Sequence, residues 1–123
     1  MAKDISAIAR AAYDSYVTKD RAALEALIAK DFRFTSPLDN GLNRESYFAI
    51  CWPNSANIQR MEIVQIVEHG EKVFVNYEGN SKQARFRNTE ILTVRDGQIC
   101  EVEVYFGWNV PHEIPLGEHR DPK

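Results

Sequence analysis

The chain has little of what metal-binding, redox and nucleic-acid-binding proteins depend on. Only two cysteines occur in 123 residues, Cys51 and Cys100, far apart and among apolar neighbours, which reads as reduced, buried thiols. His69, His112 and His119 have neither the close spacing of a zinc motif nor a cysteine beside them, so no metal and no cofactor is expected. The formal charge is -3 and there is no basic run, which argues against nucleic acid as a partner. No stretch approaches the roughly 20 apolar residues that a membrane-spanning helix needs. Residues 1–16, MAKDISAIARAAYDSY, carry charges where a secretory signal needs an apolar core, so a cytoplasmic protein without membrane contact is expected. Repeats and low-complexity segments are missing too. Ser36 has no Gly-x-Ser-x-Gly setting and reads as a turn residue before proline rather than a nucleophile.

What is present changes character midway. The length supports one domain, expected over 1–110, with prolines at 111, 115 and 122 marking 111–123 as a tail. Ile5, Ile8, Ala9, Ala12 and Tyr16 recur at helical spacing, with Tyr13 and Val17 at the edge of the arc, and predict a helix over 4–18. Asp20 can cap a second helix whose inner face holds Leu24, Leu27 and Ile28. Residues 32–35 read as a short strand stopped by Ser36-Pro37, and 38–42 as a polar loop. Asn43 can cap a third helix over 44–52, ended by Pro53. From Ile58 onward the chain reads as two hairpins, 60–68 with 72–78 and 82–95 with 98–108. Strand 60–68 is apolar on both parities, so its inward face stays open. Helices followed by an antiparallel sheet give an α+β class with the helices on one sheet face.

The second hairpin carries most of the chemistry. Phe86, Leu92 and Val94 share a parity with Asn88 and Glu90, whereas the other parity holds Arg85, Arg87, Thr89, Thr93 and Arg95. Side chains alternate across a strand, so an amide and a carboxylic acid are expected on the buried face. Buried polar groups of this kind cost on the order of 2–7 kcal/mol unless partnered, so they line a pocket or tie a core together. A two-residue turn at Asp96-Gly97 would set Glu90 opposite Glu103 and Leu92 opposite Glu101. A three-residue loop with Gly97 as a left-handed bulge pairs Glu90 with Val102, Asn88 with Val104 and Phe86 with Phe106. The bulged turn is therefore expected. It leaves Arg87, Thr89, Ile91, Ile99, Glu103 and Tyr105 outside, a mixture suited to a dimer interface or to a solvated ladder.

Three stretches in order resemble a known family: Tyr16-Val17-Thr18-Lys19-Asp20, then Asp31-Phe32-Arg33-Phe34-Thr35-Ser36-Pro37, then 96–99 running to Tyr105-Phe106. Over residues 5–108 the chain is similar to the SnoaL-like and ketosteroid-isomerase-like proteins of the nuclear-transport-factor-like superfamily. The resemblance implies three helices packed in a strongly bent antiparallel sheet, a cone-shaped (cystatin-like) fold with a hydrophobic pocket. A homodimer through the outer sheet face is also implied. In the isomerase branch a carboxylate just before the first strand's proline shuttles the proton. Here that position is Ser36, with Asp39 three residues on. The second acid of that branch matches Glu90 in strand register, and its oxyanion tyrosine aligns with Ala12, one residue from Tyr13. Steroid isomerisation is therefore not expected.

Glu90 is the leading candidate, because burial favours a neutral, proton-donating carboxyl. A structural acid bonded to Tyr16 or an arginine is the alternative. Tyr16, central on the apolar arc, needs an internal partner for its hydroxyl, and a Tyr16–Glu90 pair is expected. Asn88 and Asp39 complete the catalytic set. Tyr13, Trp52, Arg60, Phe86, Val102, Phe106 and Trp108 are the expected ligand-binding residues. For the tryptophans core packing is the competing role, and for Arg60 a solvated strand end. Two functions stay open: a cofactor-independent isomerase, cyclase or dehydratase acting on an apolar or polycyclic molecule, and a non-catalytic ligand-binding or dimerising module.

Overall fold

Three side-chain caps punctuate the helical part of the chain. The computed structural model describes residues 4–108. Helix α1 (Ile5–Thr18) begins where the Asp4 carboxylate accepts the Ser6 amide at 3.0 Å, and it stops at a left-handed Lys19. Asp20 then accepts from the Ala23 amide at 3.1 Å and starts α2 (Arg21–Leu27). Asn43 accepts from the Ser46 amide at 2.9 Å and starts α3 (Arg44–Ile50). Each cap satisfies an amide that the first helical turn leaves without a partner. Two helix ends differ from expectation. Ile28 lies in a strand instead of on α2, and α3 stops at Ile50, followed by a 3-10 segment, Trp52–Asn57. Pro53 opens that segment, where its missing N–H costs nothing.

The strands are β1 (Ile28–Thr35), β2 (Leu42–Asn43), β3 (Ile58–His69), β4 (Lys72–Ser81), β5 (Arg85–Arg95) and β6 (Gln98–Phe106). They form a six-stranded sheet in the order β2-β1-β6-β5-β4-β3. The expected strongly bent, antiparallel cone is corrected on two points. First, β1 runs parallel to β6, so the sheet is mixed. The hairpin partner β5 takes one edge of β6, and β1, leaving α2, reaches the other edge in the same direction. Second, β2 and β3 stand at opposite edges and do not pair, so the sheet is open and not curled shut. Both edges are poor at pairing further. β2 has two residues, and β3 presents Arg60, Glu62 and Glu68 and breaks register near Val64. The expected boundary at 110 and the tail 111–123 lie outside the described residues.

The β5–β6 turn also corrects the sequence reading. Arg95 pairs with Gln98 across a two-residue turn in which Asp96 and Gly97 have φ of 54° and 77°, the positive values of the Asp-Gly hairpin turn. The bulge sits one step later, between the Val94–Ile99 and Thr93–Glu101 pairs, leaving Cys100 unmatched. This extra residue relieves the like-charge clash that had counted against the tight turn. Glu101 now faces Thr93, Glu103 faces Ile91, and Glu90 lies opposite Val104. The two-residue turn itself sets Ile99, expected outside, opposite Val94 and into the core at 1% exposure. The inward parity of β5 is as expected, with Phe86, Asn88, Leu92 and Val94 buried.

The core lies between α1, α3 and this inner sheet face, with Phe32, Leu24 and Val75 among its fully buried residues. The inward face of β3, left open by its sequence, is set by Met61, Ile63 and Ile66, which pack on the core. No helix of the described residues is long and apolar enough to cross a membrane. Gly79 lies beside Phe86 in register, and a Cβ there would stand 2.7 Å from the Phe86 ring and 2.9 Å from the Arg60 carbonyl. Gly79→Ala is therefore expected to lose about 1–3 kcal/mol by overpacking. Urea unfolding of both proteins checks this, and an unchanged midpoint would refute the close fit.

Candidate functional site

Between the helices and the inner sheet face lies a cavity of about 210 Å³. Its wall is mainly aliphatic and aromatic, and several of its polar groups gather around the Glu90 carboxylate. Strand β5 brings in Phe86, Asn88 and Glu90, and β4 brings Tyr77, cross-strand neighbour of Asn88. Helix α1 contributes Tyr13 and Tyr16, one turn apart on one face, and α3 contributes Tyr47.

Glu90 accepts two tyrosine hydroxyls, Tyr13 on Oε1 at 3.1 Å and Tyr77 on Oε2 at 2.5 Å. The Asn88 side-chain amide donates to the Tyr77 hydroxyl at 3.2 Å. This chain of donors fixes the orientation of Asn88 and leaves its Oδ1 buried with no hydrogen-bond partner. Burial raises the Glu90 pKa to about 6, against the pull of the hydrogen bonds from Tyr77 and Tyr13. Burial and the nearby Glu90 charge push Tyr13 and Tyr77 well above the ordinary tyrosine value, so both remain donors. A second polar pair lines the cavity, with the Tyr16 and Tyr47 hydroxyls 2.5 Å apart. Only one of the two protons lies between those oxygens, which leaves one O–H to offer elsewhere. Burial pushes the Cys51 thiol up to about 12, helped by the Asp39 and Glu90 charges, so it is not a thiolate nucleophile near neutral pH.

Most of the residues singled out by sequence meet here, with different partners. Glu90, Asn88, Tyr16, Tyr13, Asp39, Phe86, Val102 and Phe106 all border the cavity. The Tyr16–Glu90 pair is not formed, because Tyr13 reaches the carboxylate while Tyr16 bonds Tyr47. Trp52, Arg60 and Trp108 are not on the wall. Trp52 stacks edge-on against Tyr16 with ring centres 5.1 Å apart. Arg60 donates to Asn80 at 3.0 Å and pairs with Glu62, and Trp108 lies under Arg85 at 5.0 Å. Ser36 is on the wall, yet its hydroxyl accepts the Leu38 and Asp39 amides at 3.1 and 3.3 Å and so braces a turn. Tyr77 and Tyr47 were missed. Tyr77 alternates with the buried Val73 and Val75, a parity that was legible in β4, and Tyr47 shares helical spacing with Phe48 and Cys51. Among the described residues no group of three His, Cys, Asp or Glu side chains is placed to hold a metal ion.

Comparison with known proteins agrees with this architecture. The SnoaL-like domain model matches residues 9–102. None of the curated proteins matches the chain. Among solved structures, an NTF2-like protein of unknown function from Cytophaga hutchinsonii has a TM-score of 0.72 at 16% identity, covering 87% of this chain and 93% of that one. IdmH, a candidate polyketide cyclase from Streptomyces antibioticus, has a TM-score of 0.67 at 21% identity, over 83% and 91% of the two chains. A protein with a ketosteroid-isomerase-like fold from Catenulispora acidiphila, in complex with trimethylamine, has a TM-score of 0.64 at 20% identity, over 82% and 85%. At these identities the structures speak for the fold alone. With the family model spanning 9–102 and an α+β fold of three helices on a mixed sheet, the chain belongs to the SnoaL-like domain family.

Proposed function

We propose that the cavity binds a small, largely apolar molecule and that Glu90 moves a proton on it without a cofactor. The observation that carries this reading is a carboxyl with a pKa of about 6 on an apolar cavity wall, held by two tyrosines. Such a group is mostly ionised at neutral pH yet close enough to it to return a proton, the property required of a general acid–base catalyst. Taking a proton from carbon pushes negative charge onto the ligand's oxygen. The surplus O–H of the Tyr16–Tyr47 pair is the donor available to stabilise it. An isomerase, cyclase or dehydratase step fits these parts. One observation favours a non-catalytic binding module instead: at Ser36, where the isomerase branch carries its base, the hydroxyl is taken up by a turn. The homodimer implied by the family belongs to the same proposal. It would use the outer sheet face, where Val67, Phe74 and Ile91 form one cross-strand row and Tyr105 is 54% exposed.

A general-base probe separates catalysis from binding. Proton elimination from 5-nitrobenzisoxazole should be accelerated by the wild type, with a rate rising through a midpoint of about pH 6 and then level. Glu90→Gln should slow it on the order of 10²–10⁴-fold. Equal rates in the two proteins would leave only the binding reading. Stability gives an independent check. The folded-state pKa stands above the ordinary 4.5, so this group's contribution is full below about pH 4.5 and is lost as pH rises through about 6. Relative to Glu90→Gln, the wild type should lose about 2 kcal/mol over that range in urea unfolding. For the outer face, Phe74→Lys should weaken self-association at least about tenfold, read by light scattering on a dilution series. A wild type that is monomeric at all concentrations would remove the dimer.

A further inference from the structure

The ionised form of Glu90 is compensated by dipoles alone. Tyr13 and Tyr77 supply one hydrogen bond to each carboxylate oxygen, which leaves about half of its acceptor capacity unused. Beside it Asn88, 3% exposed, holds a second acceptor, Oδ1, with no partner. Among the described residues on the cavity wall there is no lysine, arginine or histidine. Nearby cations are engaged elsewhere. The Lys19 ammonium is held by the Tyr16 and Ile58 carbonyls, and the Arg44 guanidinium donates to the Glu25 carbonyl at 3.0 Å and lies over Phe48. The wall around the carboxylate is instead aromatic, with Tyr77 in ring contact with both Tyr13 and Phe86, and with Tyr16, Tyr47 and Phe34 on the same wall.

We infer that the ligand of this cavity is an organic ammonium ion, a compact amine with an apolar body, seated with its charge against Glu90. The inference rests on the reading of the cavity as a binding site and not on proton transfer. A carboxylate and an unpartnered amide oxygen make a corner of negative potential that repels anions. A neutral hydrocarbon would bury that corner without answering it. An ammonium answers the carboxylate, and its flanking carbons meet aromatic rings whose faces attract cations. The buried charge of Glu90 thereby becomes the element that selects the ligand.

Choline and 3,3-dimethylbutan-1-ol have the same shape and differ in charge, since one carries nitrogen where the other carries carbon. Each is titrated into the isotopically labelled full chain, with affinity read from the NMR shifts of cavity residues. The inference expects choline to bind on the order of tenfold more tightly, and Glu90→Gln to abolish that preference. Equal binding, or tighter binding of the alcohol, overturns the ammonium inference and leaves the apolar-cavity reading standing. If neither shifts a cavity resonance up to its solubility limit, both are overturned. The wild-type comparison decides the question even if Glu90→Gln fails to fold.

Discussion

A carboxylate on the inner face of a central strand is the constraint around which this molecule is arranged. Without partners, Glu90 would impose a desolvation cost that a domain of this size could not absorb. The solution draws on three elements: Tyr13 from α1, Tyr77 from β4, and Asn88 from β5 itself. Those hydroxyls can meet the carboxylate only if α1 lies across the sheet at the depth of position 90. The polar cluster thus ties the helix to the strands at a definite height. The same cluster leaves the carboxyl with a pKa of about 6. One arrangement therefore bears on both packing and the proposed chemistry.

The geometry of that strand depends on a feature several residues away. At the Asp96-Gly97 turn the local preference of the dipeptide prevails, as both residues adopt positive φ. Continued without interruption, this register would bring glutamates face to face. The bulge at Cys100 resolves the conflict by sending Glu101 and Glu103 outward and Val102 and Val104 inward. A turn preference and a burial preference that disagree are both satisfied by one unmatched residue. The cavity wall at Val102 and Val104 follows from it.

What could be read from sequence was what is encoded locally. Asp20 and Asn43 signal helix starts through their own side chains and cap as expected, and Asp4, expected inside the first helix, caps it as well. The parity of β5 placed Asn88 and Glu90 inside because alternation survives any shift by two residues. That is why a wrong turn still gave the right face. The tyrosine partner was less legible. Tyr13 and Tyr16 lie three residues apart on one helix, and only the depth at which α1 meets the sheet decides which of them reaches Glu90. The parallel pairing of β1 with β6 joins segments about seventy residues apart, and neither carries a mark of its partner. Openness of the sheet is likewise a property of its edges, where the brevity of β2 and the charges of β3 matter more than any motif.

The two tyrosines hold Glu90 by different oxygens and from different sides, one from a helix and one from a neighbouring strand. A carboxylate pinned at both ends cannot swivel about its last torsion without breaking a bond to one of them. In the proposed chemistry such a base would face a bound methylene group from a fixed direction. It would distinguish the two enantiotopic hydrogens by position alone, so the product's handedness would be set before any proton moved.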